Sequence, residues 1–126
     1  MKDAHALVGE AKQMIEEVNL DAAEQAIQEA AAVIDVREPD EFRQGHVPGA
    51  INIPRGLLEF KLTATPELTD RDLNLVVYCK SSGRAALAAK SLQEMGYLKV
   101  KSIAGGFDAW AAAGKAVVTP KAIDFN

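Results

Sequence analysis

Cys79 is the single cysteine of this 126-residue chain. It stands where an apolar, β-branched run, Leu75 to Tyr78 (LVVY), gives way to Lys80, Ser81, Ser82, Gly83 and Arg84. LVVY reads as a buried central strand, and the alanine- and leucine-rich segment after Gly83 reads as a helix. Cys79 through Arg84 is therefore a strand-to-helix turn, and ligands of open α/β sheets sit beyond the carboxyl ends of the strands. Small and flexible turn residues let successive backbone N–H groups converge on one point, which makes a cup for an anion. The helix N-terminus and the charges of Lys80 and Arg84 favour a thiolate over a thiol, so Cys79 reads as a nucleophile. The competing reading is an inert buried cysteine, a common fate for this residue type. The glycine-containing turn and its two cations favour chemistry.

A lone cysteine rules out an intramolecular disulfide, a CxxC redox couple and a resolving cysteine within one chain. His5, His46 and Cys79 are the nitrogen and sulfur candidates for a metal, and none has ligand spacing to another, so we expect no metal and no cofactor. With 48% hydrophobic and 25% charged residues the chain has the make-up of one globular domain. Its net charge of −4, from 14 basic and 18 acidic residues, argues against phosphate-backbone binding as the main activity, so nucleic acid is not an expected partner. The N-terminal segment has acidic residues among its apolar ones and resembles no export signal. No run reaches the length of a membrane span. The expected location is cytoplasmic, with no membrane partner.

Elements that position Cys79 follow from periodicity. Leu7, Ala11, Met14, Ile15 and Val18 predict an amphipathic helix over Asp3 to Glu17. That helix reads as a structural cover for its own domain, with a dimer or partner contact as the alternative. Asn19 or Asp21 caps a second helix through about Glu29. Ala32 to Val36 predicts a buried strand, Glu38 to Gln44 a helical turn or two, and Ala50 to Ile53 a short strand closed by Pro54. Arg55 to Thr69 is mixed helix and loop. The helix after Gly83 stops at Gly96; Val100 to Ile103 is a further strand, Gly105 and Gly106 a tight turn, and Phe107 to Ala113 a last helix. Alternating strands and helices predict an α/β fold with a parallel sheet covered on both faces.

Three stretches go further: DVREPDEFRQGHVPGAINIP (Asp35 to Pro54), VVYCKSSGR (Val76 to Arg84) and IAGGFDAWAAAG (Ile103 to Gly114). In order and spacing the sequence resembles the single-domain rhodanese-like sulfurtransferases. The resemblance implies a central parallel sheet flanked by helices, with a catalytic cysteine in a six-residue loop. It divides the chain into an extra N-terminal helical extension, residues 1–18, and a rhodanese-like domain, residues 19–126. It also implies a persulfide mechanism: Cys79 takes sulfur from thiosulfate or polysulfide and passes it to a thiophilic acceptor. That acceptor would be a thiol, cyanide or a sulfur-carrier protein, and the enzyme a monomer or homodimer. Cysteine-dependent phosphatases and arsenate reductases of similar fold carry C-x5-R; here the spacing is C-x4-R, a tighter ring suited to a sulfur atom. A noncatalytic binding module of the same family is the other alternative, and the intact cysteine and basic loop speak against it.

The remaining marked residues divide as follows. Lys80, Ser81, Ser82, Gly83 and Arg84 form the expected substrate cup. Arg37 and Arg55 follow strand ends on the same rim, where they would attract an anionic donor or be simply solvated. Asp35 reads as a structural ion-pair partner and His46 as a structural hydrogen-bonding residue. Phe107 and Trp110, three apart on a short helix, read as core.

Overall fold

The computed structural model describes residues 1–120. Its elements run α1 (Ala4–Met14), β1 (Glu16–Val18), α2 (Leu20–Glu29), β2 (Ala32–Asp35), α3 (Pro39–Gln44), β3 (Ile51–Asn52), α4 (Leu58–Ala64), β4 (Leu75–Tyr78), α5 (Gly83–Glu94), β5 (Val100–Ile103) and α6 (Gly106–Ala112), with 3-10 turns at Arg55–Leu57 and Pro66–Leu68. The strands form one five-stranded sheet in the order β1-β5-β4-β2-β3, and every pair is parallel.

β4 lies at the centre, and its residues alternate between two cores as the strand period of two requires. Leu75, Val77 and Cys79 point into one core with Leu58, Leu62, Ala88 and Leu92 of α4 and α5. Val76 and Tyr78 point into the other with Ala23 and Ala26 of α2 and Trp110 of α6. Both faces of the sheet are thus covered, which a parallel sheet needs. Asn19, not Asp21, caps α2: its Oδ1 accepts from Ala22 N–H at 2.9 Å.

The first helix is shorter than its periodicity predicts, and its inward face differs. Asp3 caps it through Ala6 N–H at 2.9 Å, but it ends at Met14, and Glu16–Val18 pairs with Lys101–Ile103 as the sheet's outer strand. A Glu-Glu-Val segment has little strand character of its own; the open edge of β5 supplies the backbone partners, and tertiary pairing overrides local propensity. Leu7 and Met14 are 41% and 59% exposed, while Ala11 is fully buried. Four alanines of α5 are fully buried: Ala85, Ala88 and Ala89 lie in the sheet's core cluster and Ala86 lies outside it. Helices bearing alanine at their contact can approach closely, so α5 is sandwiched between α1 and the sheet. Among the described residues no helix is long and apolar enough to cross a membrane.

Candidate active site

Cys79 follows β4 directly and is 1% exposed. Its Sγ accepts from the Ala85 N–H at 3.3 Å, in the first turn of α5. The loop between them is held from outside by α6. Phe107 N–H donates to Cys79 O at 2.8 Å and Asp108 N–H to Lys80 O at 3.0 Å. The carbonyl oxygens of Ser81, Cys79 and Lys80 crowd the point where a side chain on Gly106 would begin, at 2.3, 2.5 and 2.8 Å. Only glycine fits there, and its φ of +58° is one that other residues rarely adopt.

This packing fixes where the loop's donors point. Every peptide bond among the described residues is trans, and in a trans peptide the N–H points opposite to the preceding carbonyl. With three successive carbonyls turned toward α6, the N–H groups of Lys80, Ser81 and Ser82 point away from it. Gly83 and Arg84 open α5, where first-turn amides have no intrahelical acceptor. Among the described residues, no backbone N–H from Lys80 to Arg84 donates to a protein acceptor. Adjacent donors without protein partners at a helix N-terminus are the arrangement that can hold an anion.

The loop's cations are less free than the sequence suggests. Arg84 makes a two-pronged ion pair with Glu41 of α3, Nη1 to Oε1 at 2.7 Å and Nη2 to Oε2 at 3.0 Å. Lys80 Nζ lies 2.7 Å from Asp108 Oδ2. The mouth of the loop is therefore closer to neutral than a count of Lys80 and Arg84 alone implies. Sequence reading missed Glu41 and Asp108 as site residues. Glu41 was hidden by its second task, since its side chain accepts from Glu38 N–H at 3.0 Å and closes a capping box at the start of α3.

The hydrogen bond from Arg84, reinforced by that amide, holds the Glu41 carboxyl down at about 2, against an ordinary value of 4.5. A carboxyl with a depressed folded-state pKa contributes stability above its unfolded value and loses it as pH falls through the folded one. The stability difference between wild type and Glu41→Gln should accordingly be constant above about pH 5 and shrink as pH drops toward 2. Urea midpoints at several pH values measure it, and a difference that does not change with pH would remove the ion pair from the loop's support.

Asp35 and Arg37 form a second, deeper pair. Asp35 is fully buried, and its carboxylate accepts from Arg37 Nε and Nη2 at 3.0 and 2.7 Å. Arg37 Nη2 also donates to Gly45 O at 2.7 Å, and the guanidinium lies over the Phe107 ring at 4.4 Å. Tyr78 continues the network by accepting from Val47 N–H at 3.1 Å, and burial pushes its hydroxyl well above the ordinary tyrosine value. His46 stacks on Phe42 at 3.7 Å and makes a 3.2 Å contact from Nδ1 to Phe42 O, a structural arrangement. Trp110 is core, whereas Phe107 is only half-buried and faces the site.

A cleft of about 240 Å³ beside the loop is lined by Arg37, Glu41, Gln44, Lys80, Phe107 and Asp108. Arg37, Lys80 and the partner of Arg84 thus meet around one opening. Arg55 stands elsewhere: its Nη1 pairs with Glu59 at 2.8 Å, and it shares a groove with Leu7, Leu87, Lys90, Ser91 and Glu94 on the flank of α5. Among the described residues no three His, Cys, Asp or Glu side chains gather as a metal site.

A buried cysteine at the tip of a central parallel strand, followed by a loop of backbone donors and a helix N-terminus, on this topology, defines a class, and the chain belongs to the family of the rhodanese-like domain, which it matches over residues 8–113. A sulfurtransferase of Allochromatium vinosum is 33% identical to it over 110 residues, spanning 86% of this chain and 99% of the relative. The polysulfide-sulfur transferase homodimer of Wolinella succinogenes is 34% identical with a TM-score of 0.74, covering 90% of this chain and 85% of that one. A Rhodopseudomonas palustris protein of unknown function, described as a possible tyrosine phosphatase, superposes with a TM-score of 0.82 at 32% identity, covering 94% of this chain and 96% of that one.

Proposed function

We propose that this protein is a sulfurtransferase that carries sulfane sulfur from thiosulfate or polysulfide to a thiophilic acceptor as a Cys79 persulfide. The observation that supports it most is the loop that follows Cys79: five N–H groups from Lys80 to Arg84 without a protein acceptor, next to a sulfur that already accepts from Ala85 N–H. In the first half-reaction the Cys79 thiolate attacks the outer sulfur of thiosulfate. A bond forms from Sγ to that sulfur, the donor's S–S bond breaks, and sulfite leaves with the electron pair. In the second, a thiolate or cyanide attacks the outer sulfur of the persulfide and Cys79 leaves as thiolate, ready to repeat. Each step moves negative charge across the ring of amides, which stabilises it without rearrangement. The depth of Cys79 suits a donor that presents a slim terminal sulfur.

On this reading Lys80, Ser81, Ser82, Gly83 and Arg84 bind the donor's sulfur mainly through the backbone, and Arg37 and Lys80 form the charged approach. Arg55 is not part of that approach, because its side chain lies in a different groove on the flank of α5. Acceptors are small thiols, cyanide or a sulfur-carrier protein.

The phosphatase reading draws on the Rhodopseudomonas neighbour, and loop length weighs against it: one residue fewer between Cys79 and Arg84 closes the ring around a single sulfur rather than a tetrahedral oxyanion. Steady-state assays with thiosulfate, polysulfide and an aryl phosphate separate the two. Sulfur transfer without aryl phosphate turnover is the expected result, and strong phosphatase activity in the unaltered protein would overturn the assignment. Inserting one glycine between Ser82 and Gly83 should weaken sulfur transfer and admit slow phosphate hydrolysis.

A further inference from the structure

The helix that reads as a cover in the sequence reaches the reactive loop. Val8, Ala11, Lys12 and Ile15 fall at i, i+3, i+4 and i+7, one face of α1 and the start of the chain beyond it. Val8 Cγ2 lies 3.6 Å from where a side chain on Gly83 would begin. Lys12 Nζ donates to Ser82 Oγ at 2.6 Å, much closer than its 3.9 Å approach to Glu17.

Ser82 occupies the N-cap position of α5, where a serine ordinarily turns its oxygen onto the second or third amide of the helix. Here those amides belong to Arg84 and Ala85, and Ser82 makes no side-chain cap. The Ala85 N–H goes to the Cys79 sulfur instead, and the serine oxygen goes to Lys12. The two hydrogen bonds are alternatives to a normal cap: whatever holds Ser82 Oγ away leaves Ala85 N–H for the sulfur.

Resting on the sulfurtransferase reading, we propose that Lys12 is a positioning residue for the nucleophile, holding the Ser82 hydroxyl out of its helix cap so that the Ala85 amide stays on Cys79. The N-terminal helix is then part of the site's machinery, although it touches no reacting atom. Without Lys12 the hydroxyl is free to swing onto Ala85 and compete with the sulfur for its donor. The penalty falls on the charged forms of the sulfur, which gain most from that hydrogen bond.

The test is a double-mutant cycle, read by the rate of Cys79 alkylation with iodoacetamide at fixed pH and by kcat/KM for thiosulfate. Lys12→Ala should lower both by about 3- to 10-fold, the worth of one hydrogen bond to a charged sulfur that has other donors. In a Ser82→Ala background the same change should cost nothing, because no hydroxyl remains to capture Ala85. Lys12→Arg should retain most of the rate. Thermal unfolding run alongside shows whether the variants fold; a gain or small loss of melting temperature in Lys12→Ala is expected, since a normal cap replaces the one interaction lost. Equal losses in the two backgrounds would overturn the proposal, and so would an unaltered rate in Lys12→Ala. Alkylation reports on the sulfur whether or not sulfur transfer is the activity, so a protein that shows the Lys12–Ser82 coupling but transfers no sulfur would overturn the functional reading alone.

Discussion

Cys79→Ser should abolish sulfur transfer, by roughly 10⁴-fold or more, the scale seen when an enzyme's nucleophile is removed. A serine oxygen at this position can accept the Ala85 N–H but cannot form a persulfide that returns its sulfur to a thiol. The fold should persist. Cys79 is buried beside Ala85 and Ala88, and the substitution is nearly isosteric, with a hydroxyl that keeps one hydrogen-bond partner; a cost of about 1–2 kcal/mol is expected. Circular dichroism and a urea melt establish that the variant is folded, and a thiosulfate assay with cyanide or a thiol as acceptor reads the loss. Substantial turnover in a folded Cys79→Ser variant would place the chemistry elsewhere.

The second large effect is expected at Gly106, a residue with no functional group. A methyl there would meet the carbonyl oxygens of Ser81, Cys79 and Lys80 at 2.3–2.8 Å. All three are backbone atoms and cannot rotate aside. Gly106→Ala adds that clash to the cost of placing a side-chain-bearing residue at φ +58°. Together the two should cost roughly 3 kcal/mol or more. The loop carbonyls would have to turn, breaking the bonds from Phe107 and Asp108 and reorienting the amides of the loop. Activity should therefore fall further than stability alone explains, even well below the melting transition. Gly9→Ala makes the opposite-sign control. Gly9 lies mid-helix in α1 with nothing near its missing side chain, and alanine should stabilise it by about 0.5–1 kcal/mol. Chemical denaturation of the two variants gives both numbers, and a Gly106→Ala protein as stable and active as wild type would contradict the described packing of α6 on the loop.

Much of this arrangement is legible in the residues themselves. LVVY ending at Cys79 places the cysteine at a strand tip, and the Gly83 turn with its alanine-rich helix marks the strand-to-helix loop, because strand period, turn chemistry and helix period all change within six residues. Asp35 and His46 read as structural, and the structure gives each a structural partner. Less legible is what depends on contacts distant in sequence. Glu41 and Asp108 neutralise the loop's cations from α3 and α6, 43 and 28 residues away from their partners, and no local pattern marks them. Strand β1 exists because β5 has an open edge, not because Glu16–Val18 favours extension. The buried face of α1 depends on how the helix docks on α5: the stripe read from helical spacing includes Ala11, which is fully buried, but also Leu7 and Met14, which stay exposed. Lys12 is invisible for the same reason: a lysine on an amphipathic helix reads as solvated until the helix is docked and its amine meets Ser82.

The central claim is that Cys79 carries sulfur covalently. Intact mass spectrometry of the purified protein after incubation with thiosulfate, followed by peptide mapping, tests it most directly. The expected result is a gain of the mass of one sulfur atom, confined to the peptide containing Cys79, removed by cyanide or a small thiol, and absent from Cys79→Ser. A protein that binds thiosulfate yet gains no sulfur, or that gains it equally without Cys79, would contradict the account.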